Sequence, residues 1–187
     1  SYYDQLEMET PTILGTRFQR QSAGSDVIAR FGSIGPISSG ALGGRASWES
    51  FGFGGSLYTP NSERLNLGVF TYQEIDLYPV RLEAGIRYDW TQTTPEREDR
   101  NSDIGHVRRR TFASLSGSVG LLYNWEPGIV MGANVSRAFR TPDVHELFSE
   151  GPHLAAYSFD VGNPDLEREI GTGLDIFMRF HDEGNRV

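Results

Sequence analysis

Apolar and polar residues alternate along most of the second half of the chain. From Val80 to Thr91 one row reads Val80, Leu82, Ala84, Ile86, Tyr88 and Trp90. The other row reads Arg81, Glu83, Gly85, Arg87, Asp89 and Thr91. A period of two with one greasy and one charged row predicts a strand with two unlike faces. Thr111–Trp125 repeats it, with Ala113, Leu115, Val119, Leu121, Tyr123 and Trp125 set against Ser114, Ser116, Ser118 and Asn124. Gly128–Arg140, Glu169–His181 and Leu65–Leu77 follow the same rule. The first fifty residues are less regular and predict weaker strands at Tyr2–Glu9, Ile13–Gln21, Asp26–Ile34 and Gly43–Gly54. That makes about nine strands.

These strands are long. Twelve residues at roughly 3.3 Å each, tilted by about 45°, rise close to 28 Å, the height of the apolar band of a membrane barrel. The connections alternate in length. Short proline turns stand at Asp76–Val80 and Asn124–Gly128, while Thr93–Arg109 and Thr141–Arg168 are long. Outer-membrane barrels alternate in this way, with tight turns on the periplasmic side and long loops outside. Trp90 and Phe139 fall near the long-loop ends, and Tyr123, Trp125, Phe180 and Tyr78 near the short-turn ends. Two aromatic girdles are what the membrane interfaces select. The predicted fold is all-β, an antiparallel up-and-down transmembrane barrel segment. An odd strand count does not close an up-and-down barrel, so residues 1–187 are expected to be part of a barrel whose closing strands are not present. The competing architecture is a secreted β-sandwich binding module, whose greasy rows would pack inward.

Composition narrows the chemistry. The chain has 187 residues, no cysteine, and 17 basic against 25 acidic residues, a net charge of −8. All the basic residues are arginine. Thiolate nucleophiles, Cys-ligated zinc, phosphate-loop lysines and Schiff-base lysines are therefore out. The acidic balance argues against a nucleic-acid partner. No run approaches 18 apolar residues, so no helix is expected to span a membrane. His145-Glu146 lacks the second histidine of a metalloprotease motif, because Ser149 stands at that position. No nucleophile elbow occurs. The chain is expected not to be an enzyme.

The most specific stretch is Ser136-Arg137-Ala138-Phe139-Arg140-Thr141-Pro142, then Glu146-Leu147-Phe148, then Gly162-Asn163-Pro164-Asp165-Leu166, with Glu169 three residues on. Pro142 ends a strand ladder. Asp143–Phe148 suits one helical turn capped by Thr141 or Asp143. Asn163-Pro164 re-aims the chain. Arg140 has the parity to pair with Glu169 across the hairpin. Both boxes read first as architectural.

These boxes resemble those of the TonB-dependent outer-membrane receptors, most strongly over Gly117–Phe180. The resemblance implies a Gram-negative outer membrane, with lipid and lipopolysaccharide around the wall. It implies a plug domain inside the barrel, an inner-membrane TonB partner that supplies energy, and uptake of a scarce nutrient. Arg168 departs from the proline often found before the glutamate. Gly151-Pro152-His153-Leu154-Ala155 looks like the branch linked to zinc uptake. His145 and His153, with Asp143, Glu146, Glu150 and Asp160, are then the candidate zinc ligands, and His106 from the other long loop is a further one. Haem receptors of the same superfamily also place a histidine between such boxes, so a haem or siderophore receptor is the alternative, with the histidine as an axial haem ligand. A passive porin-like barrel is a further alternative. The basic tract His106–Arg110 is expected to be a solvated loop flank, with attraction of an anionic cargo or of lipopolysaccharide as its functional reading.

Overall fold

The computed structural model describes residues 1–10, 12–55, 59–126, 128–153 and 157–180, with Glu9, Ile13, Leu14, Glu126 and His153 described through the backbone alone. The described residues form one eight-stranded antiparallel sheet and one small hairpin. The strands of the large sheet are β1 (Tyr2–Thr10), β2 (Ile13–Phe31), β3 (Ser39–Gly55), β4 (Ser62–Leu77), β5 (Val80–Pro95), β6 (Arg110–Glu126), β7 (Ile129–Arg140) and β10 (Glu169–Phe180). Each of the first six pairs with its successor in sequence, and β7 pairs with β10. The connection between those two carries α1 (Val144–Phe148) and the hairpin of β8 (Glu150–His153) and β9 (Ser158–Val161). The meander is up-and-down throughout, as the alternation predicts.

Eight sheet strands replace the nine expected. Ile13–Gln21 and Asp26–Ile34 belong to one 19-residue strand that ends at Phe31. Ser22-Ala23-Gly24-Ser25 reads as a turn in isolation. Here these residues continue the ladder, opposite Glu49, Trp48, Ser47 and Ala46 of an uninterrupted β3. Cross-strand pairing overrides the weak local preference of small polar residues. Ile34 lies beyond the strand, in an isolated bridge with Ile37. The hairpin β8–β9 has no counterpart in the alternation, since each strand is only four residues long.

Register assigns the two faces. Leu67 stands opposite Trp90, Val69 opposite Tyr88, and Ile86 opposite Gly117. Val119 stands opposite Val135, and Val135 opposite Leu174. This outer face is greasy and open. Val69 and Val119 are each 60% exposed, and Ile176 is 75% exposed. No second layer of described protein covers it. The inner face carries Arg45, Arg64, Glu74, Arg81, Glu83, Arg87 and Asp89. Ion pairs such as Arg87–Asp89 run along it.

The small buried core is on the inner face as well. Val107, Phe112, Val144, Leu147 and Phe148 form it, with Phe51, Phe53, Ile104 and Leu166 packed around. It is the cushion on which the two long loops rest at one end of the sheet. No described helix is long and apolar enough to cross a membrane, which does not bear on crossing by strands. The greasy rows therefore face away from the protein, as a lipid-exposed wall requires.

Candidate functional site

The site begins at the upper end of β7. Arg140 is the last residue of that strand and points to the inner face, opposite Glu169. Its guanidinium donates to Glu169 at 2.6 and 3.1 Å and to Glu146 at 2.7 and 2.8 Å. The expected pairing with Glu169 is present, and Glu146 joins it. Two carboxylates on one planar fork is the geometry arginine suits best. The guanidinium holds the Glu146 and Glu169 carboxyls below the usual carboxylate range, and the Arg140 pKa is raised in turn.

Glu146 has a second task. It accepts from the Asp143 backbone N–H at 2.9 Å, while the Asp143 carboxylate accepts from the Glu146 N–H at 2.9 Å. This reciprocal capping box starts α1 at the Asp143 cap. Val144, Leu147 and Phe148 then turn inward and are essentially fully buried. Burying side chains of this kind stabilises by about 1.5–3 kcal/mol each.

The second box docks on the first. The Gly162 N–H donates to the Ser149 carbonyl at 2.6 Å, and the Asn163 N–H to the Glu146 carbonyl at 2.8 Å. A side chain at 162 would put its Cβ 2.8–2.9 Å from Ser149 N, Leu147 C and Phe148 N. Only glycine fits that approach. The Asn163 side chain accepts from the Asp165 N–H at 2.9 Å, and Pro164 behind it is fully buried. Arg108 pairs with Asp165 at 2.7 Å and keeps its carboxyl ionised below the usual range. Arg110 donates to the Leu166 carbonyl at 2.9 Å. The loops are thus tied to each other and to the wall.

Between this loop and the inner face of β1–β3 lies a cavity of about 810 Å³. One wall is aromatic, with Tyr3, Phe18, Phe51 and Phe53. Arg20, Glu49 and Arg64 supply charge, and Glu7, Asp143, His145 and Asp160 also line it. The His145 ring sits 5.7 Å from Phe18 and 5.0 Å from Phe53, edge-on to the latter. Its Nδ1 is 3.2 Å from the Ser149 hydroxyl. Arg64 is buried, donates to Thr93 and, at 2.8 Å, to the Pro142 carbonyl. A wall residue thereby fixes the start of the loop.

The predicted ligand residues are spread around this loop. His145, Asp143 and Asp160 share the cavity. Glu146 is held in the Arg140 clamp. Glu150 lies on a separate shallow surface beside Asn101 and accepts weakly from Ser102 at 3.5 Å. His106 does not line the cavity and has its Nε2 buried among the loops. His153 ends β8 opposite Ser158. Among the described residues, no three His, Asp or Glu side chains converge in the way a metal ion needs.

Arg64, Arg20 and the three phenylalanines escaped the sequence reading. Phe51 and Phe53 alternate with Gly52 and Gly54, which was the available signal. Of the girdle aromatics, Tyr123 and Trp125 stand exposed at the short-turn end with Phe180. Trp90 and Phe139 have outer-face parity, opposite Leu67 and Ile170 respectively.

The chain belongs to the TonB-dependent receptor family: the model for a TonB-dependent receptor-like β-barrel matches residues 2–187. Solved structures share the fold, two of them as follows. The copper transporter OprC is similar at a TM-score of 0.70 and 19% identity, over 90% of this chain and 29% of that one. The hemophore receptor HasR of Serratia marcescens, solved as a double mutant with its hemophore HasA and heme, is similar at a TM-score of 0.68 and 17% identity, over 87% of this chain and 30% of that one. The chain therefore spans less than a third of either protein.

Proposed function

We propose that the chain forms wall and mouth of an outer-membrane receptor that takes up a scarce nutrient as a metal complex. In this reading a plug domain fills the barrel, TonB delivers the energy, and residues 1–187 lack the plug and the closing strands. The observation that carries the cargo class is the cavity of about 810 Å³ between the α1 loop and β1–β3. A space of that size suits an organic molecule rather than a bare ion. The Phe18, Phe51 and Phe53 wall suits a flat or ring-bearing ligand, and the Arg20 and Arg64 guanidiniums suit its acidic groups. Haem and ferric siderophore chelates both have this chemistry.

Free zinc is the second reading. It is supported by His145 and Asp160 lining one cavity. A passive pore is disfavoured by the paired boxes, which dock on each other at the mouth through the Gly162 and Asn163 backbone bonds to Ser149 and Glu146.

The test uses full-length receptor titrated with haem, ferric citrate and zinc, alongside Phe53→Ala, His145→Ala and His153→Ala variants. A metal complex as cargo predicts binding of one of the two chelates, weakened about tenfold or more by Phe53→Ala. Tight zinc binding lost in the histidine variants and untouched by Phe53→Ala would overturn this reading in favour of the ion.

A further inference from the structure

Charge inside the cavity is shared out unevenly. Register sets Glu49 of β3 and Thr93 of β5 on either side of Arg64 of β4. Glu49 is the cross-strand carboxylate that Arg64 would ordinarily take. It is taken instead by Arg20 of β2, whose guanidinium donates to it and lies over the Phe51 ring at 5.6 Å. Arg20 is thereby neutralised. Arg64 forms no ion pair among the described residues.

Arg64 is nonetheless only 9% exposed. An arginine at that depth is normally paired with a carboxylate. Its partners here are neutral: Nε donates to the Thr93 hydroxyl at 3.1 Å and Nη2 to the Pro142 carbonyl at 2.8 Å. Those two contacts fix the plane of the fork. Nη1 has no partner among the described residues, and it is not sealed from solvent as the Arg110 Nη1 is. The side chain lines the cavity, so Nη1 opens into it. Asp143 does not fill the place, because its carboxylate is engaged by the Glu146 N–H in the α1 cap.

The apolar end of the cavity lies nearer the rim. Phe18 stands opposite Phe53 with ring centroids 6.1 Å apart, and His145 packs against both. Phe53 follows Glu49 by four positions on β3, so about 13 Å of strand at most separates the rings from the Arg64 row.

We infer that Arg64 selects the cargo by its acid group: one carboxylate of a ring-bearing molecule docks on the Arg64 Nη1, while the ring is held by Phe18, Phe53 and His145. This rests on the reading of the cavity as the cargo site, and it narrows the acid contact to one residue. A buried, oriented guanidinium with one open nitrogen suits a single carboxylate. A compact polyanion is selected against, because its remaining charge would face Glu7, Glu49 and Asp160 on the same walls.

The experiment measures binding of pyrenebutyric acid and its methyl ester to full-length receptor in detergent, by pyrene fluorescence. In this pair the ring and the acid stand a few methylenes apart, and only the charge differs. Receptor-free micelles give the detergent background. Heat-modifiable gel mobility checks that Arg64→Gln, Glu49→Gln and Phe53→Ala are folded. Wild type should bind the acid about tenfold more tightly than the ester, the scale of a hydrogen bond to a charged group. Arg64→Gln should bring the two probes level. Glu49→Gln, which frees Arg20, should widen the preference, and Phe53→Ala should weaken both probes. Equal binding of the probes by wild type, or none, would overturn the proposal without any variant. A preference kept in folded Arg64→Gln would overturn it too, since a merely structural arginine would weaken both probes alike. The cargo reading is judged separately by the haem and ferric citrate titrations: a chelate that binds while acid and ester stay level removes the role of Arg64 alone.

Discussion

A single arginine at the end of β7 explains why two separated sequence boxes occur together. Arg140 holds Glu146 of the first box and Glu169 beyond the second. Removing it leaves two carboxylates side by side without a counter-ion. Arg140→Gln should therefore speed limited proteolysis of the 141–168 connection in the full receptor, with barrel heat-modifiability retained. A Gly162→Ala change attacks the same junction by sterics, since its Cβ would meet α1 backbone at 2.8–2.9 Å. It should loosen the loop to a similar extent, with the same proteolytic readout. Resistance equal to wild type in both variants would contradict this account of the boxes.

The clamp also sets a pH window. The Glu146 and Glu169 carboxyls are held below their ordinary values by Arg140. A depressed pKa contributes stability above the unfolded value, near 4.3 for glutamate, and that contribution fades as pH falls through the folded value. Loop protection in hydrogen exchange should stay flat from neutral pH down to about pH 4 and drop only below it. In Glu146→Gln this acid-dependent drop should shrink. Loss of protection already between pH 7 and 5 would point to a histidine instead.

At the level of elements, α1 is short and owes its existence to its ends and its buried side. Asp143→Ala removes the cap and should cost about 1 kcal/mol, read as faster exchange at Val144–Phe148, while Asp143→Asn should cost much less. Phe148→Ala should cost about 3–5 kcal/mol of loop docking, because that side chain is fully buried. The long strands β4 to β7 and β10 were legible because one face meets lipid and the other water, which writes strict alternation into the chain. β2 was not legible as one strand. Ser22–Ser25 are small and polar on both faces, and only the β3 partner shows that the ladder continues. The boxes could be read as rim architecture from Pro142, Asp143 and Asn163. The cavity could not. Phe18 and Phe53 come from two strands that only register sets opposite each other, and only the docked α1 loop brings His145 against both.

For the whole molecule, the arrangement inverts a soluble sandwich. Its greasy rows point away from the protein and its charged rows toward the interior, with the small apolar cluster confined to the loop end. Membership of the receptor family and the shared fold with OprC and HasR agree with that inversion. The most direct test exploits the absence of cysteine from the chain. Single cysteines at Leu115, Ser116, Val119 and Gly120 of full-length receptor are spin-labelled in lipid vesicles and exposed to oxygen and to a water-soluble nickel chelate. Labels at 115 and 119 should collide with oxygen and be shielded from nickel, and labels at 116 and 120 should do the reverse. An absence of alternation, or greasy positions shielded from both reagents, would contradict a lipid-facing wall.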